Sequence, residues 1–503
     1  MSSTRKARRR KPASDSTTRV SVPAEAAPDA PPFWTWWLLA IVVVGAALRG
    51  YYLRQPMRYD ESVTYLYFAS QPWTTVVGSY TYPNNHVLHS VLVKGCASLL
   101  GNEPWVLRLP AFLAGVALIP ATYALGRRLF GSAEAHVGAA LVAGSGSLAF
   151  YSTNARGYTI VSLATVVLAI LLLRLRERPA IADWAAVTLT VALGTWTIPI
   201  MLFPAGGLVM WFLLSALRGD TSQPRTDLRR LAVALGTAAI VTAELYSPIL
   251  LRSGMSPLTS NAFVRPSLWY VFFRQLPSSA APLFSSLTLG TPAILALLLV
   301  VFAVAGLVVA RKTDRHVVSM VGTMYVWCAA VLLATHRVPF SRVWLFAVAP
   351  IALLIARGLT WAASRLGERS RTVATNGGLG GVVVSLALAS MILVSRALET
   401  TRDTGTLPDA DLITQTLSGG LRRGDRVVAP VPSNAPLAFS FVRAGLDTAY
   451  LSAQPADSAR VYLIVNTGEG FTLRTRLTDP VVRRFSRAEL VARFPSSEVY
   501  RLF

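Results

Sequence analysis

The chain has 503 residues, of which 53% are hydrophobic and 15% are charged, with a mean hydropathy of +0.48. Soluble domains carry about a quarter charged residues, so this composition excludes an ordinary soluble protein and indicates a polytopic membrane protein. The formal net charge is +23, but most basic residues flank apolar segments, so we predict no nucleic-acid partner. Cys96 and Cys328 lie far apart in the sequence, which indicates neither a disulfide framework nor a cysteine-type zinc site.

Residues 1–32 are basic and rich in Pro, Ala and Ser, and we predict that they form a disordered cytoplasmic tail. Eleven apolar segments of about the length that crosses a bilayer, roughly 17 to 25 residues, follow this tail. They lie at 33–48, 105–125, 134–153, 157–173, 181–198, 199–217, 229–250, 290–310, 317–335, 343–361 and 377–395.

Basic residues set the predicted orientation of these segments. Clusters such as Arg127 with Arg128 and Arg311 with Lys312 lie in alternate connections, and positive-inside orientation places such connections in the cytoplasm. If the apolar stretch 87–100 were a further span, every later cluster would face outward, so we predict an interfacial or re-entrant helix there. We expect a multi-pass protein of the cell membrane with a cytoplasmic N-terminus.

The sequence changes character after the last span. Charged residues and Gly/Pro turns return within 397–503, and the short apolar runs 426–429 and 461–465 indicate strands. We therefore predict an all-α transmembrane domain at 33–396 and a small extracytoplasmic α/β domain after it. The sequence contains no phosphate-binding glycine-rich loop and no internal repeat.

The first outer loop, residues 51–104, is long and polar, and such loops often carry function. It contains two adjacent carboxylates, Asp60 and Glu61. Adjacent side chains diverge by about 100° on a helix, so one could accept a proton while the other holds a metal ion or a backbone amide. The structural alternative is that both carboxylates cap a helix over 62–69 and interact favourably with its dipole.

Other polar residues of the outer loops and spans are candidates for a metal or a sugar. His86 and His89 fall on one helical face and could join a carboxylate around a divalent ion, unless they form only a polar helix face. Glu244 lies inside a predicted span, where a carboxylate is costly unless it lines a cavity or has a partner. We therefore regard His86 and Glu244 as candidate ligands of a divalent metal cofactor. Tyr82 could stack on a sugar ring or lie at the lipid interface.

Two later segments also face the outer side in this arrangement. The tight turn 151–158 contains Arg156, which either faces a polar cavity or reaches the interface as a snorkelling side chain. The loop 252–289 combines aromatic and basic residues in the pattern of an interfacial amphipathic helix. That helix could guide a lipid tail, cover a cavity or anchor the protein.

Taken in order, these residues resemble glycosyltransferase family 39, which includes the protein O-mannosyltransferases and the lipid A aminoarabinose transferase and has the GT-C membrane fold. The motifs that carry the resemblance are Tyr59-Asp60-Glu61, Asn85-His86-Val87-Leu88-His89, Arg108-Leu109-Pro110, the run from Leu125 to Gly131, and the run from Tyr151 to Tyr158. The resemblance covers about residues 33–175, and its specific part is the Asp-Glu pair. Many relatives have Pro-Pro-Leu where this chain has His86-Val87-Leu88.

The resemblance implies transfer of a hexosyl or pentosyl unit from a polyprenyl-phosphate donor to an acceptor hydroxyl on the outer side of the membrane, with inversion at the anomeric carbon. It assigns Asp60 as the general base, with Glu61 as the second catalytic residue. A phosphate monoester is a good leaving group, so a base and nearby cations would suffice. The residues expected to bind the donor phosphate or the substrate are Arg58, Tyr82, Asn85, Arg156, Tyr158 and Arg342.

The acceptor class is left open by the sequence, since a glycan, a glycolipid or a protein of the cell envelope would each supply a hydroxyl. The alternative function is a transporter or flippase for a lipid-linked sugar, which would also be polytopic. Such proteins are often built from inverted halves or interrupted spans, and this sequence has no such symmetry.

Overall fold

The structure is a computed structural model, and it describes residues 35–259, 264–366, 377–451, 460–476, 482–483 and 485–503. The predicted tail 1–32 lies outside these described residues. Within these described ranges, eight helices are long and apolar enough to cross a membrane, which supports the predicted multi-pass architecture. They are Pro104–Leu129, Tyr158–Glu177, Pro199–Leu217, Pro224–Ser253, Ala293–Thr313, Arg315–Thr335, Ser341–Arg365 and Gly377–Ser395.

The other three predicted spans are also helical. Two are 17-residue helices, Trp36–Tyr52 and Ile181–Thr197. The third is broken into Ser132–Ala143 and Gly146–Ser152. Every predicted span therefore corresponds to helical structure, while the number that crosses the bilayer stays a prediction.

The second piece of the broken span begins at a close approach to the connection between two later helices. A Cβ atom at Gly146 would lie 1.9 Å from the carbonyl oxygen of Leu289, so only glycine permits this contact. The last carbonyls of a helix lack intrahelical partners. Here the buried Arg49 donates to the carbonyl oxygens of Ala143 at 2.8 Å and Val142 at 3.0 Å.

The first outer loop folds into short helices that carry the Asp-Glu pair. These are Tyr59–Thr64, the π-helical turn Tyr65–Ala69, Trp73–Gly78 and Val87–Leu100. The predicted helix thus begins three residues earlier than position 62, and Asp60 and Glu61 lie in its first turn. Glu61 Oε1 accepts a hydrogen bond from the Arg58 backbone N–H at 2.8 Å, so the capping alternative is correct for this residue.

Three further helices of the described residues lie between or just after the long ones, and two of them are only four residues long. They are Ser256–Thr259, Trp269–Leu287 and Ala397–Thr400. The second of these lies in the loop predicted to be amphipathic, and Phe272 is its buried residue.

The C-terminal part contains a small mixed sheet, as predicted. Its strands are β1 Arg426–Val428, β2 Val461–Val465, β3 Ala488–Arg493 and β4 Glu498–Leu502, in the order β1-β2-β4-β3. Strands β1 and β2 are parallel and the other pairs are antiparallel. Helices and turns flank the sheet at Ala410–Ser418, Asn434–Arg443, Thr448–Leu451 and Leu473–Arg476. The β2 residues are all buried, which explains their continuous apolar run.

The segment between the last span and this sheet packs against the first outer loop. Thr404 and Gly405 have φ angles of 68° and 66°, a left-handed conformation that glycine adopts easily. Their carbonyl oxygens accept hydrogen bonds from the backbone N–H groups of Asp60 at 3.3 Å and Tyr59 at 3.1 Å. The C-terminal part therefore helps to fix the helix that carries Asp60.

Candidate active site

A large cavity of about 1040 Å³ lies between the first outer loop, the ends of several long helices and the C-terminal sheet domain. Its polar lining residues include Asp60, Tyr82, Asn84, His86, Arg156, Tyr158 and Arg342. Its apolar lining residues include Ile198, Pro199, Ile200, Phe203, Leu258, Val331 and Val343. The sheet domain contributes Val431, Asn434, Ala435, Ala438, Val442, Thr448 and Leu451. The cavity thus offers both a charged group of residues and an apolar surface to one ligand.

Asp60 lies in this cavity with one carboxylate oxygen held and the other free of hydrogen bonds. Its Oδ1 accepts a hydrogen bond from Asn84 Nδ2 at 3.3 Å. Its Oδ2 is buried and has no hydrogen-bond partner among the described residues. The same oxygen lies 3.7 Å from Nη2 of Arg342 and 4.0 Å from Nη2 of Arg156. This arrangement leaves one carboxylate oxygen available to a hydroxyl group in the cavity.

Glu61 points away from the cavity and forms an ion pair with Arg108. Both of its oxygens accept hydrogen bonds from the Arg108 guanidinium, and Oε2 also accepts the backbone N–H of Ala155 at 2.8 Å. These contacts match the sequence interpretation in which one carboxylate of the pair holds a backbone amide rather than a metal ion. Glu61 is not among the described residues that line the cavity.

Arg156 and His86 form a contact that links the turn 151–158 to the first outer loop. Nη1 of Arg156 donates to Thr64 Oγ1 at 3.2 Å and to the Asn84 carbonyl at 3.1 Å. Its Nη2 lies 3.1 Å from Nε2 of His86. Arg156 is 2% exposed and borders the cavity, so the sequence alternative of a snorkelling side chain does not apply.

His86 is buried, and both of its ring nitrogens face N–H donors. Nδ1 accepts the backbone N–H of Gly157 at 2.9 Å, and Nε2 faces Arg156. A neutral imidazole has a single acceptor nitrogen, so only one of these contacts is a hydrogen bond at a time. Burial, followed by the charge of Arg156, holds the pKa of His86 well below its ordinary value. The ring is therefore neutral at physiological pH.

Arg342 lies between two carboxylates at the outer end of a long helix. Its Nε donates to Tyr158 Oη at 3.0 Å and its Nη1 to Asp403 Oδ1 at 3.3 Å, while Nη2 faces Asp60. Asp403 in turn accepts a hydrogen bond from the hydroxyl of Tyr151. The planar guanidinium, with donors on three sides, thus orders the cavity wall.

Two residues predicted to bind the donor instead form hydrogen bonds with backbone carbonyls outside the cavity. Arg58 donates to the backbone carbonyls of Leu398 at 2.7 Å and Thr401 at 2.8 Å, which joins the first outer loop to the C-terminal part. Asn85 donates to the carbonyls of Val76 and Ser79 at 3.0 and 2.7 Å, and so closes its own loop. Neither residue lines the cavity, because backbone carbonyls take up their donors.

Sequence reasoning missed three polar residues of this site. Asn84, next to the predicted Asn85, contacts Asp60 directly. Asp403 accepts a hydrogen bond from Arg342, and Tyr151 donates to Asp403. The turn motif in which Tyr151 lies was a signal for one of them, whereas nothing in the sequence near Asp403 indicated its pairing with a residue 61 positions away.

The donor set of the cavity does not fit the predicted divalent metal. Asp60 is its one carboxylate among the described lining residues, and two guanidinium groups face the free oxygen. His86 has its nitrogens turned to N–H donors, and Glu244 is exposed on its helix and does not line the cavity. The described residues contain no cluster of three His, Cys, Asp or Glu side chains suited to a metal. We derive no step through a metal ion.

Part of the chain matches a known protein family, and the whole fold is similar to solved structures. Residues 85–243 match the family model of dolichyl-phosphate-mannose-protein mannosyltransferases. The fold is similar to the crystal structure of ArnT from Cupriavidus metallidurans bound to undecaprenyl phosphate, with a TM-score of 0.61 and 14% identity over 92% of this chain and 98% of that chain. The apo state of the same protein gives a TM-score of 0.60, 14% identity and coverages of 92% and 97%.

A second kind of solved structure shares the fold. The archaeal oligosaccharyltransferase AglB from Archaeoglobus fulgidus, in complex with an inhibitory peptide and a dolichol-phosphate, gives a TM-score of 0.52 and 12% identity over 92% of this chain and 74% of that chain. No curated protein sequence matches the chain. The predicted fold is confirmed: the chain has the GT-C membrane fold, and its residues 85–243 match the family model of the dolichyl-phosphate-mannose-protein mannosyltransferases.

Proposed function

We propose that this protein is an integral membrane glycosyltransferase that moves a sugar from a polyprenyl-phosphate donor to an acceptor hydroxyl, with Asp60 as the general base. The observation that carries the proposal is the free Oδ2 of Asp60, which faces Arg156 and Arg342 across a cavity with an extensive apolar lining. A base, cations for a phosphate and an apolar surface for a lipid chain are the elements that this reaction requires.

The chemistry assigns a separate task to each of these groups. The acceptor hydroxyl donates a hydrogen bond to Asp60 Oδ2, and its oxygen attacks the anomeric carbon of the donor. The O–H proton passes to Asp60 as the new C–O bond forms, and the bond from the anomeric carbon to the phosphate oxygen breaks with inversion. The departing phosphate takes the bonding electrons, and the guanidinium groups of Arg156 and Arg342 stabilise its charge.

Glu61 acts in this proposal as a positioning residue. Its ion pair with Arg108 and its hydrogen bonds to two backbone amides fix the first turn of the helix that carries Asp60. Since the neighbouring side chains diverge by about 100° around the helix, holding Glu61 in one direction directs Asp60 toward the cavity.

The solved relatives support the class of donor. The ArnT structure contains undecaprenyl phosphate and the AglB structure contains a dolichol-phosphate, and both lipids are polyprenyl phosphates. In the orientation that we propose, the cavity opens on the extracytoplasmic face of the cell membrane, with the C-terminal sheet domain on the same side. The transferred unit is a hexosyl or pentosyl group, and the acceptor belongs to the cell envelope.

The test is sugar transfer by the purified full-length protein in liposomes, with a panel of labelled polyprenyl-phosphate sugars and envelope acceptors. The Asp60→Asn variant removes the base without changing the size of the side chain, and we expect it to lower turnover by about 10²- to 10⁴-fold. Asp220→Asn is the matched control, because Asp220 is exposed in a connection far along the chain.

Three outcomes of this assay are informative. Transfer or donor hydrolysis that requires Asp60 supports the proposal and identifies the sugar. Undiminished turnover in Asp60→Asn overturns the assignment of the base. Movement of labelled lipid across the bilayer without any turnover, over the whole panel, would favour the flippase alternative.

A further inference from the structure

A second cavity, of about 390 Å³, lies outside the catalytic cavity at the junction of the outer loops and the sheet domain. Its described lining residues are Arg54, Gln55, Pro56, Met57, Glu103, Pro104, Trp105, Ala410, Asp411, Pro436, Phe439 and Arg443. We propose that this cavity binds sugar units of an extended, uncharged saccharide acceptor, beyond the unit that reacts. The inference rests on the proposed glycosyltransferase function and names its acceptor class.

The lining of the second cavity offers partners for both surfaces of a sugar ring, its C–H face and its hydroxyl groups. Trp105 is partly exposed and supplies an aromatic surface for the C–H face of a ring, and the buried side chains of Met57 and Phe439 border the cavity. Gln55 and the charged residues of the rim supply hydrogen-bonding groups for its hydroxyls. Binding pockets for small polar molecules commonly combine an apolar lining with a few placed polar groups, and they occur often at domain junctions.

One polar group in this cavity lacks a partner. The amide nitrogen Nε2 of Gln55 is buried and makes no hydrogen bond among the described residues. A buried donor without a partner costs free energy, so such groups in native structures are often satisfied by something absent from the isolated protein. A hydroxyl of a bound saccharide would satisfy this donor.

The charges around the cavity favour an uncharged ligand. Arg443 lies 3.4 Å from Asp411 within the sheet domain and 3.9 Å from Glu103 across the junction. With Arg54 added, the lining carries two basic and two acidic side chains. This balance does not attract a strongly anionic ligand such as a nucleotide or a phosphate-rich glycolipid head group.

A single helix separates the second cavity from the catalytic cavity. Asn434–Arg443 turns Ala435, Ala438 and Val442 toward the catalytic cavity, whereas Pro436, Phe439 and Arg443 line the second one. A helix with its side chains is about 10 Å across. A saccharide of several units could therefore keep its reacting end near Asp60 and place a later unit against Trp105.

The experiment measures saccharide binding and transfer separately, on the full-length protein in nanodiscs. Binding of uncharged envelope-type oligosaccharides of increasing length is measured by calorimetry on the Asp60→Asn variant, so that turnover does not interfere. We expect Trp105→Ala to weaken binding of the longer saccharides about tenfold, from the loss of the aromatic surface. Trp105→Phe should retain most of the affinity.

A second variant keeps the test independent of folding. Gln55→Leu removes a donor that no described residue uses, so the thermal stability should not fall. We expect it to weaken binding of longer saccharides about threefold to tenfold. Trp73→Ala is the matched control, because Trp73 is half-exposed on the same outer loop and lines neither cavity. In transfer assays the KM of a single-unit acceptor and that of the donor should not change in either variant.

The outcomes separate this inference from the proposed function. Length-dependent binding that requires Trp105 and Gln55 supports the second site, whether or not a donor sugar has been identified. If wild-type protein transfers sugar but the two variants bind and use long saccharides as well as wild type, the second site is overturned and the enzyme stands. Failure of every saccharide to bind also overturns it.

Discussion

Glu61 and Arg108 form an ion pair that is sealed from solvent, since their side chains are 0% and 1% exposed. The guanidinium contacts both carboxylate oxygens, and its remaining donors contact backbone carbonyls of Leu53, Gln55 and Pro56. Arg108 thus contacts the start of the first outer loop, while Glu61 also accepts the backbone N–H groups of Arg58 and Ala155. The pair fixes this loop at the point where the helix Tyr59–Thr64 begins.

The first prediction concerns the stability that depends on this pair. Glu61→Gln keeps the shape of the side chain but leaves Arg108 buried without a counter-charge, which costs about 3–5 kcal/mol in comparable buried pairs. We expect a large fall in the free energy of unfolding, measured by thermal denaturation in detergent, and a loss of activity that follows from it.

Two variants serve as controls for this prediction. Glu177→Gln removes one partner of the exposed pair with Arg128, in which Glu177 is 59% exposed, and should change stability by about 0.5 kcal/mol or less. Combining Glu61→Gln with Arg108→Gln should recover part of the lost stability, since no buried charge remains. A Glu61→Gln protein as stable as the Glu177→Gln protein would contradict the positioning role.

The second prediction concerns Arg342 and the donor. Arg342→Lys keeps the charge, but a lysine ammonium cannot contact Tyr158, Asp403 and Asp60 from three sides of one plane as the guanidinium does. We expect the KM of the polyprenyl-phosphate donor to rise about tenfold, which corresponds to about 1.4 kcal/mol. The measurement is the donor saturation curve of the liposome assay.

Arg274→Lys is the control for this measurement, because Arg274 is exposed on the helix Trp269–Leu287 and does not line the catalytic cavity. Its donor curve should match that of the wild type. If Arg342→Lys lowered only the thermal stability and left donor saturation unchanged, Arg342 would be a structural residue of the cavity wall.

The sequence predicted the cavity residues that lie inside recognisable motifs. Asp60 and His86 come from the first outer loop, Arg156 and Tyr158 come from the turn 151–158, and the structure brings all four to one cavity. The order of these motifs along the chain resembles that of a known family. The motifs therefore indicated which distant residues belong to one site. The helix boundaries were also close, because long apolar segments have a strong signal.

Contacts between distant parts of the chain could not be predicted. Arg58 looked like a ligand of an anionic substrate, but its partners are backbone carbonyls about 340 residues away. A sequence pattern does not show which way a charged side chain turns when a later domain packs on it. Glu244 was ambiguous for a related reason. Hydropathy showed that it lies on a span but not whether its face of the helix meets the cavity. In the structure it is exposed.

The third prediction follows from the buried His86. Burial and the charge of Arg156 lower its pKa in the folded protein, while the unfolded chain has a His pKa of about 6.5. Above this pH, His86 is neutral in both the folded protein and the unfolded chain. Its full contribution to the free energy of unfolding is then present. As the pH falls below about 6.5, the unfolded chain binds a proton that the folded protein does not, so stability decreases by up to about 1.4 kcal/mol per pH unit.

His86→Gln removes this group, so the variant should lose less stability than the wild type between neutral and mildly acidic pH. The measurement is the melting temperature of both proteins at several pH values in the same detergent. Since Gly157 donates to Nδ1 in the wild type, the variant is expected to start from a lower stability, and the comparison is therefore between slopes. Parallel curves would show that His86 does not carry this pH dependence.

The last prediction concerns the attachment of the C-terminal part to the first outer loop. Arg58 donates to the carbonyls of Leu398, Thr401 and Asp403, and hydrogen bonds from charged donors are each worth about 1.5–3 kcal/mol. Arg58→Ala should therefore allow the linking segment to open more often, and trypsin should cleave after Arg402 at least about tenfold faster. Arg54→Ala is the matched control, because Arg54 is an exposed arginine of the same loop. Equal cleavage rates in the two variants would mean that the backbone contacts of Thr404 and Gly405 with the catalytic helix hold the segment without Arg58.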